Sequence, residues 1–373
     1  MPSTHEESFM RRALHLAAEG WGQTAPNPMV GAVVVRDGRV VGEGYHHRYG
    51  EAHAEVHAVR AAGDLARGAT MYVSLEPCRH HGKTPPCTDA ILAAGLTRVV
   101  VAAPDPTAVA GGGARLLRER GVRVDVGMLE REARELNAPF FHAVASRRPW
   151  TTLKLAVSIE TAIADRRGST TWLTGAESRA EVHRMRAGSD AVVVGVGTIV
   201  ADDARLTVRD WSAPRKPPAR VVLDRALRTP LGAEVVKTAR ETPTIILTRQ
   251  LDGSRADALR DAGVKLRPMD DLGTGLEALR DEGIESVLVE GGATVAAAAM
   301  RDGLVHRLVI IQAPVALGKD ALYAFDGAPP AVLEELETLP VVWRRQLGQD
   351  VITTFAVPDG EETAGRQGLG GQG

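Results

Sequence analysis

Pro77-Cys78-Arg79-His80-His81-Gly82-Lys83-Thr84-Pro85-Pro86-Cys87 carries both cysteines of this 373-residue chain, downstream of His53-Ala54-Glu55. A chain that kept cysteines for packing would scatter them. A catalytic zinc ion takes three protein ligands, typically His and Cys, and leaves its fourth tetrahedral position for water. His53, Cys78 and Cys87 supply such a set. Zinc lowers the pKa of its water to roughly 7, so a nearby carboxylate can take the proton at neutral pH. Glu55 is spaced for that task.

The flanking sequence predicts a scaffold for these side chains. Val30 to Val35 reads as a strand, Asp37-Gly38 as a hairpin turn and Val40 to Gly44 as the returning strand. A helix is predicted from His53 to Ala66, with His53 and Glu55 in its first turn. Residues there converge on a point beyond the helix end, where the positive end of the dipole favours an anionic nucleophile. Thr70 to Leu75 reads as a second strand, with Pro77-Cys78 just past its end. Ligands at strand and helix ends are held by the scaffold.

Three other readings of these residues stand beside the first. His80 or His81 could complete a closed structural site, which would leave Glu55 without a purpose. His53-Ala54-Glu55-Val56-His57 imitates the two-His spacing of metalloproteases, but those need Glu directly after the first His, where this chain has Ala54. The two cysteines could also be buried and inert. His57 reads as a helix-face residue.

The order His-x-Glu, then Pro-Cys, then a second Cys is the signature of zinc-dependent nucleobase deaminases, whose Glu moves protons and is not a ligand. The generic form spaces its cysteines Cys-x-x-Cys, whereas eight residues separate them here. Ala25-Pro26-Asn27-Pro28-Met29-Val30-Gly31, Gly42-Glu43-Gly44-Tyr45-His46, His53-Ala54-Glu55 and Leu75-Glu76-Pro77-Cys78 through Cys87 resemble the deaminase domain of the bifunctional riboflavin-biosynthesis deaminase-reductases. The resemblance implies a cytidine-deaminase-like three-layer α/β/α domain over residues 1–147. It also implies that Asn27, His80 and Lys83 contact the pyrimidine or the ribose phosphate, Lys83 as a point charge.

That family carries a second enzyme, and the length leaves room for two domains. A charged, turn-prone seam at Ala145-Ser146-Arg147-Arg148-Pro149 follows a helix predicted to end near Asn137. Beyond it, strand runs at Thr152 to Ala156, Ala191 to Gly195, Arg220 to Leu223, Thr244 to Leu247 and Ser286 to Val289 alternate with helical stretches. Those stretches are Ala176 to Arg186, Ser254 to Ala262 and Ala293 to Met300. The alternation predicts a second α/β domain with a largely parallel sheet. Gly195-Val196-Gly197-Thr198 opens like a dinucleotide fingerprint but lacks the third glycine. Val289-Glu290-Gly291-Gly292-Ala293-Thr294 places two glycines between a strand and a helix, as a cradle for a cofactor phosphate or as a plain tight turn.

Leu153-Lys154-Leu155-Ala156, Trp172-Leu173-Thr174, Arg184-Met185-Arg186-Ala187, Ala201-Asp202-Asp203, Leu206-Thr207-Val208-Arg209 and the Glu290 turn are similar in identity and order to the family's reductase domain. The resemblance implies a dihydrofolate-reductase-like α/β domain over residues 148–357 that uses NADPH. Carried over position by position, Lys154, Thr170, Arg186, Leu206, Arg209 and Glu290 contact the sugar-phosphate substrate. Ala156, Trp172, Thr198, Asp202 and the turn of Gly292, Ala293, Thr294 and Val295 contact the nucleotide. The chain departs from the family where Ser158-Ile159-Glu160-Thr161 replaces Ser-Leu-Asp-Gly and where Ala204 replaces a proline. Thr161 gives up the easy access of glycine to positive φ.

A net charge of −2 leaves no basic face for nucleic acid, and 4% aromatic residues offer few stacking platforms for bases. A small pyrimidine ribosylamine phosphate is the expected substrate. No apolar run approaches the roughly 20 residues of a membrane span. Thr4-His5-Glu6-Glu7 reads as a capping box opening an amphipathic helix with Phe9, Met10, Ala13 and Leu14, and not as a signal peptide. Metal-bound thiolates suit a reduced, cytoplasmic setting. The Gly-rich tail from Pro358 is predicted to be disordered, and a homo-oligomer is the expected assembly.

The resemblance thus implies a two-step riboflavin-biosynthesis enzyme with one zinc ion and NADPH, deaminating a diaminopyrimidinone ribosylamine phosphate and then reducing its ribosyl group to ribityl. The alternative is a zinc-dependent deaminase whose C-terminal half is a silent binding or assembly domain. A deaminase of nucleic-acid bases is disfavoured by the charge and the long loop.

Overall fold

A computed structural model describes residues 4–165, 173–325 and 338–358. The chain forms two compact units: Met1–Ser146 with Pro214–Lys216, and Arg147–Ala213 with Pro217–Gly373.

The first unit begins with α1 (Thr4–Ala18), the hairpin β1 (Gly31–Arg36) and β2 (Arg39–Tyr45), and α2 (Ala54–Ala62). It continues through β3 (Thr70–Leu75), α3 (Cys87–Ala93), β4 (Arg98–Ala103), α4 (Gly113–Glu119) and β5 (Arg123–Val126), and closes with α5 (Glu130–Leu136) and α6 (Ala138–Ala145). The hairpin turns on Asp37 and Gly38, both at positive φ, as the right-handed strand twist favours. The sheet runs β2-β1-β3-β4-β5, antiparallel among the first three strands and parallel from β3 onward.

Strand periodicity makes this unit three layers deep. Ala32 and Val34 of β1, Met71 and Val73 of β3, and Val99 and Val101 of β4 pack with Ala54 and Ala58 of α2, Ile91 of α3 and Leu117 of α4. Their alternates Val33, Val35, Tyr72, Val100 and Ala102 pack with Phe9, Met10 and Ala13 of α1 and Ala133 of α5. Each fully buried aliphatic side chain contributes about 1.5–3 kcal/mol, so strands buried on both faces hold helices on both.

Two boundaries differ from expectation. The helix predicted over 53–66 is α only to Ala62 and finishes as a 3₁₀ turn, Gly63–Ala66, because Gly63 takes a positive φ that ends the α ladder. The helix predicted to end near Asn137 is followed by α6, so the seam at 145–149 begins at a helix terminus. Pro139 in the first turn of α6 fits there because its missing N–H would be unpaired anyway.

The second unit contains β6 (Trp150–Val157), β7 (Ala162–Ala164), α7 (Ala176–Ala187), β8 (Ala191–Gly195), α8 (Val196–Asp202), β9 (Ala219–Leu223), α9 (Glu234–Lys237), β10 (Thr244–Thr248) and α10 (Ser254–Asp261). Then follow β11 (Lys265–Pro268), α11 (Leu272–Asp281), β12 (Ser286–Val289), α12 (Ala293–Arg301), β13 (Arg307–Gln312), β14 (Leu322–Tyr323), β15 (Val341–Leu347) and β16 (Asp350–Ala356). Among the described residues nine strands make one sheet, β11-β10-β9-β8-β12-β6-β13-β16-β15, parallel from β11 to β13 and antiparallel beyond. Val193, Val221, Ile245 and Val289 pack on one face, and Val192, Val194, Val222 and Ile246 on the other. The expected parallel core is present, and the β15–β16 hairpin extends it.

Thr161 stands at φ 70° between β6 and β7, so the turn keeps the backbone that glycine would adopt freely. Neighbours over-determine it: Thr161 N donates to Ser158 O, and Ala324 N donates to Thr161 O. Glu160 Oε1 accepts from Leu317 N at 2.5 Å and Gly318 N at 2.8 Å. The Gly318 N–H, with Ser158 and Leu317, holds the Glu160 carboxyl down to about 2. A β-branched residue in this region costs about 1–3 kcal/mol, of which a glycine's extra chain entropy cancels part. Thr161→Gly is therefore expected to stabilise this unit by about 1 kcal/mol. A denaturant midpoint that stays or falls would contradict the strain.

Candidate active sites

In the first unit, β2 and α2 together place the head of the candidate metal group. Gly44 lets them touch, since a Cβ there would stand 2.6 Å from Ala54 O and 2.5 Å from His57 Cβ. His53 is the N-cap of α2, not a residue of its first turn, while Glu55 lies in that turn and is buried. Cys78 follows the end of β3, and Cys87 opens α3.

His53 Nδ1 stands 3.2 Å from Cys87 Sγ and 3.6 Å from Cys78 Sγ. Zn–S bonds of about 2.3 Å and Zn–N bonds of about 2.0 Å at a tetrahedral angle put N and S ligands about 3.5 Å apart. The three side chains therefore fit one zinc ion. Among the described residues they form a group of three, which neither His80 nor His81 joins. That composition matches an open catalytic site and not a closed structural one. The Cys87 side chain and His53 hold the Cys78 thiol down to about 4, whereas the Cys78 sulfur beside it pushes Cys87 up.

Burial pushes the Glu55 carboxyl up, and its Oε2 has no hydrogen-bond partner among the described residues. A buried carboxylate oxygen without a partner costs free energy unless a ligand or water uses it. Next to it lies a cavity of about 430 Å³ lined by His53, Glu55, Cys78 and the predicted Asn27, His80 and Lys83. Asn27 Nδ2 is 3.4 Å from His46 Nε2, and His46 Nδ1 is 3.2 Å from Ala52 O. With Nδ1 donating to that carbonyl, Nε2 is left to accept from the Asn27 amide. Lys83 Nζ sits 4.2 Å over the Tyr49 ring, and His80 Nδ1 is buried without a partner among the described residues. His57 lies outside the metal group and stacks on His47.

The cavity also takes in Glu76, Asp105 and Thr107, which sequence reading does not assign. Asp105 and Thr107 follow β4, whose run from Val99 to Ala103 is readable as an uninterrupted apolar stretch.

In the second unit, the predicted residues meet where parallel strands end. Val289, the last residue of β12, pairs with Leu153 of β6 and Val193 of β8, so Glu290 just past β12 lies beside Lys154 within β6. Lys154 Nζ is 3.2 Å from Glu290 Oε2, while Arg186 Nε and Nη2 donate to Glu290 Oε1 and Oε2 at 2.5 and 3.0 Å. Burial raises the Glu290 pKa, but Lys154 and Arg186 overcome it and hold the carboxyl down to about 2. Arg186 Nη1 donates to Thr207 O, and Arg209 Nη1 to Thr207 Oγ1. Ala156 near the end of β6, Thr198 in the first turn of α8, and Gly292 to Val295 at the start of α12 share this edge of the sheet. Crevices at the carboxyl ends of parallel strands are the usual ligand sites of such sheets.

Other predicted residues fare differently. Leu206 has a positive φ, and its side chain packs into the core with Val196 and Ile199, leaving only its backbone for a ligand. Asp202 is exposed at the end of α8. Thr170 and Trp172 lie outside the described residues, as does the tail from 359 onward. Gly195 ends β8 and caps α8, which starts directly after it and contains Gly197.

Residues 3–103 match the cytidine and deoxycytidylate deaminase zinc-binding region, and residues 149–352 match the RibD C-terminal domain. The fold and the two sites thus define an enzyme that joins a zinc-type deaminase to a reductase. The riboflavin biosynthesis protein RibD of Aquifex aeolicus is 44% identical over 317 residues, 84% of this chain and 88% of that protein. Its namesake in Escherichia coli is 40% identical over 85% of this chain and 89% of its own length. The chain belongs to the RibD family of riboflavin biosynthesis proteins. Among solved structures, Acinetobacter baumannii RibD superposes with a TM-score of 0.82 at 36% identity, covering 94% of this chain and 98% of that one. The Thermotoga maritima diaminohydroxyphosphoribosylaminopyrimidine deaminase/5-amino-6-(5-phosphoribosylamino)uracil reductase gives 0.83 at 35% identity, covering 95% and 100%.

Proposed function

We propose that His53, Cys78 and Cys87 hold the zinc ion, that Glu55 is the proton carrier of deamination, and that Lys154, Arg186 and Glu290 form the reductive centre. The enzyme itself is a bifunctional deaminase and reductase of riboflavin biosynthesis, with zinc and NADPH as cofactors. No helix among the described residues is long and apolar enough to cross a membrane.

Zinc supplies the Lewis acidity that lowers the pKa of water. Glu55 takes the proton released as water attacks the ring carbon bearing the amine, then passes it to the leaving group so that ammonia departs. The unpartnered, buried Oε2 of Glu55 beside the three-ligand group is the observation that carries this reading. Asn27, His80 and Lys83 line the space the pyrimidine and its phosphate would fill.

NADPH would supply hydride to C1 of the ribose in its ring-opened imine form, where the bond from C1 to the ring oxygen has broken and the imine nitrogen takes up a proton. Glu290 fixes Lys154 and Arg186 around that carbon, and Arg186 with Arg209 offers planar, permanently charged partners for phosphate. Ala156, Thr198, Asp202 and the Gly292 to Val295 turn are the proposed nucleotide contacts, with Thr170 and Trp172 proposed from resemblance. The proposed domains are residues 1–147 for deamination and 148–357 for reduction, with 358–373 as a tail. We further propose a cytoplasmic homo-oligomer that does not bind nucleic acid, consistent with the net charge of −2. A silent C-terminal half is not favoured, because residues 149–352 match the RibD C-terminal domain and bury the Lys154–Glu290–Arg186 network.

Metal analysis tests the ligand set. One zinc per chain is expected, falling sharply in Cys78→Ser and staying full in His57→Ala, since only the former removes a ligand. Full zinc in Cys78→Ser, or loss in His57→Ala, would contradict the assignment.

A further inference from the structure

Glu76 stands between the end of β3 and Cys78, and its N–H donates to Ala103 O, extending the β3–β4 pairing by one residue. Its side chain accepts three backbone N–H bonds from the connection between β4 and α4 and from the first turn of α4. Oε2 accepts from Asp105 at 3.1 Å, and Oε1 accepts from Gly112 at 3.1 Å and Ala114 at 2.8 Å. Gly112 is the N-cap of α4 and lends it no side-chain hydrogen bond. The first amides of a helix have no partner within it, so Glu76 supplies from the sheet what the connecting segment lacks. Two neighbours of Glu76 fasten the same segment. Arg79 Nε donates to Gly111 O, and Gly113 lies so close to Pro77 that a Cβ would stand 1.8 Å from Pro77 O.

The fastened segment is a wall of the deaminase cavity, which Asp105, Thr107, Val109 and Ala110 line. Asp105 Oδ1 accepts from both the N–H and the hydroxyl of Thr107, so the start of the wall is braced internally as well. Its register against Cys78 then depends on the three residues Glu76, Pro77 and Arg79. A carboxylate suits the central position because it only accepts, whereas an amide would turn N–H donors toward N–H donors.

We propose that Glu76 is a positioning residue of the deaminase: it holds the 105–114 segment against the strand end that carries Cys78, and so sets the spacing between the metal group and the cavity wall formed by Asp105 and Thr107. The proposal rests on the assignment of this cavity as the deaminase site. It predicts lost substrate binding with the chemistry largely retained.

The test is full-length Glu76→Gln, assayed for zinc content, for deamination kinetics on the pyrimidine ribosylamine phosphate, and for amide hydrogen exchange. Zinc stays at one per chain, KM rises about tenfold or more, and kcat stays within about threefold. Exchange at Asp105, Gly112 and Ala114 accelerates, and Glu76→Asp, which keeps an acceptor-only group, recovers part of the KM. An unchanged KM overturns the proposal. So does a kcat loss larger than the KM rise, or loss of zinc, because either makes Glu76 a support of the metal group alone. Should Glu55→Gln also leave deamination intact, the cavity assignment fails instead.

Discussion

Glu55→Gln keeps its zinc and loses deamination by about 100-fold to 10,000-fold, the range typical of a positioned acid/base. The amide preserves the shape of a residue that is only 3% exposed, so the packing around α2 has no reason to change. It removes a carboxylate whose buried Oε2 has no partner among the described residues and whose oxygens can carry a proton. Because His53, Cys78 and Cys87 are untouched, metal content separates a chemical loss from a structural one. Turnover near that of the parent by a zinc-replete Glu55→Gln protein would overturn the deamination mechanism.

Glu290→Gln is expected to damage the second unit in both stability and activity. Lys154 and Arg186 are largely buried around Glu290, and the substitution leaves two cations without their counter-charge. Breaking a buried ion pair by removing one partner costs about 3–5 kcal/mol. At about 2–4 °C per kcal/mol for a unit of this size, the unfolding midpoint falls by roughly 10 °C. NADPH-dependent reduction of the deaminated pyrimidine falls by about 100-fold or more, as expected when a group that orients the reacting carbon is lost. Acid should imitate the substitution in part. The Glu290 carboxyl is held down to about 2 in the fold, below its ordinary value of about 4.3, so its contribution is complete above that value. It is lost progressively as the pH falls through 4 toward the folded value of about 2. A Glu290→Gln protein with the parent's unfolding midpoint and reduction rate would contradict the network's assigned role.

The grouping of His53, Cys78 and Cys87 was legible in the sequence because cysteine is rare here, with two in the chain, and because residue types suited to metal binding can be recognised without knowledge of tertiary structure. The parallel core of the second unit was legible for a similar reason: runs such as Thr244 to Thr248 are buried throughout and read as strands from their apolar continuity. What escaped was set by distance along the chain. Glu76 accepts from amides 29 to 38 positions away, and nothing in Leu75-Glu76-Pro77 announces those donors. Asp105 and Thr107 enter the cavity only because β4 lies beside β3. Leu206 shows the converse limit, since resemblance points to its position but only the fold reveals that its side chain belongs to the core. Thr161 lies between these cases: the departure from glycine and its bearing on positive φ were visible, and only the fold shows that the turn needs that φ.

The most direct test of the bifunctional account is one coupled assay of the intact, zinc-loaded chain on the diaminopyrimidinone ribosylamine phosphate, run with and without NADPH. Without NADPH the expected products are ammonia and the deaminated ribosyl compound in equal amounts, with no ribityl product. With NADPH the ribityl product appears, and one NADPH is oxidised for each ammonia released. Ammonia release without any NADPH binding or oxidation, given an intact and folded chain, would contradict the account and leave the C-terminal half without a reductase.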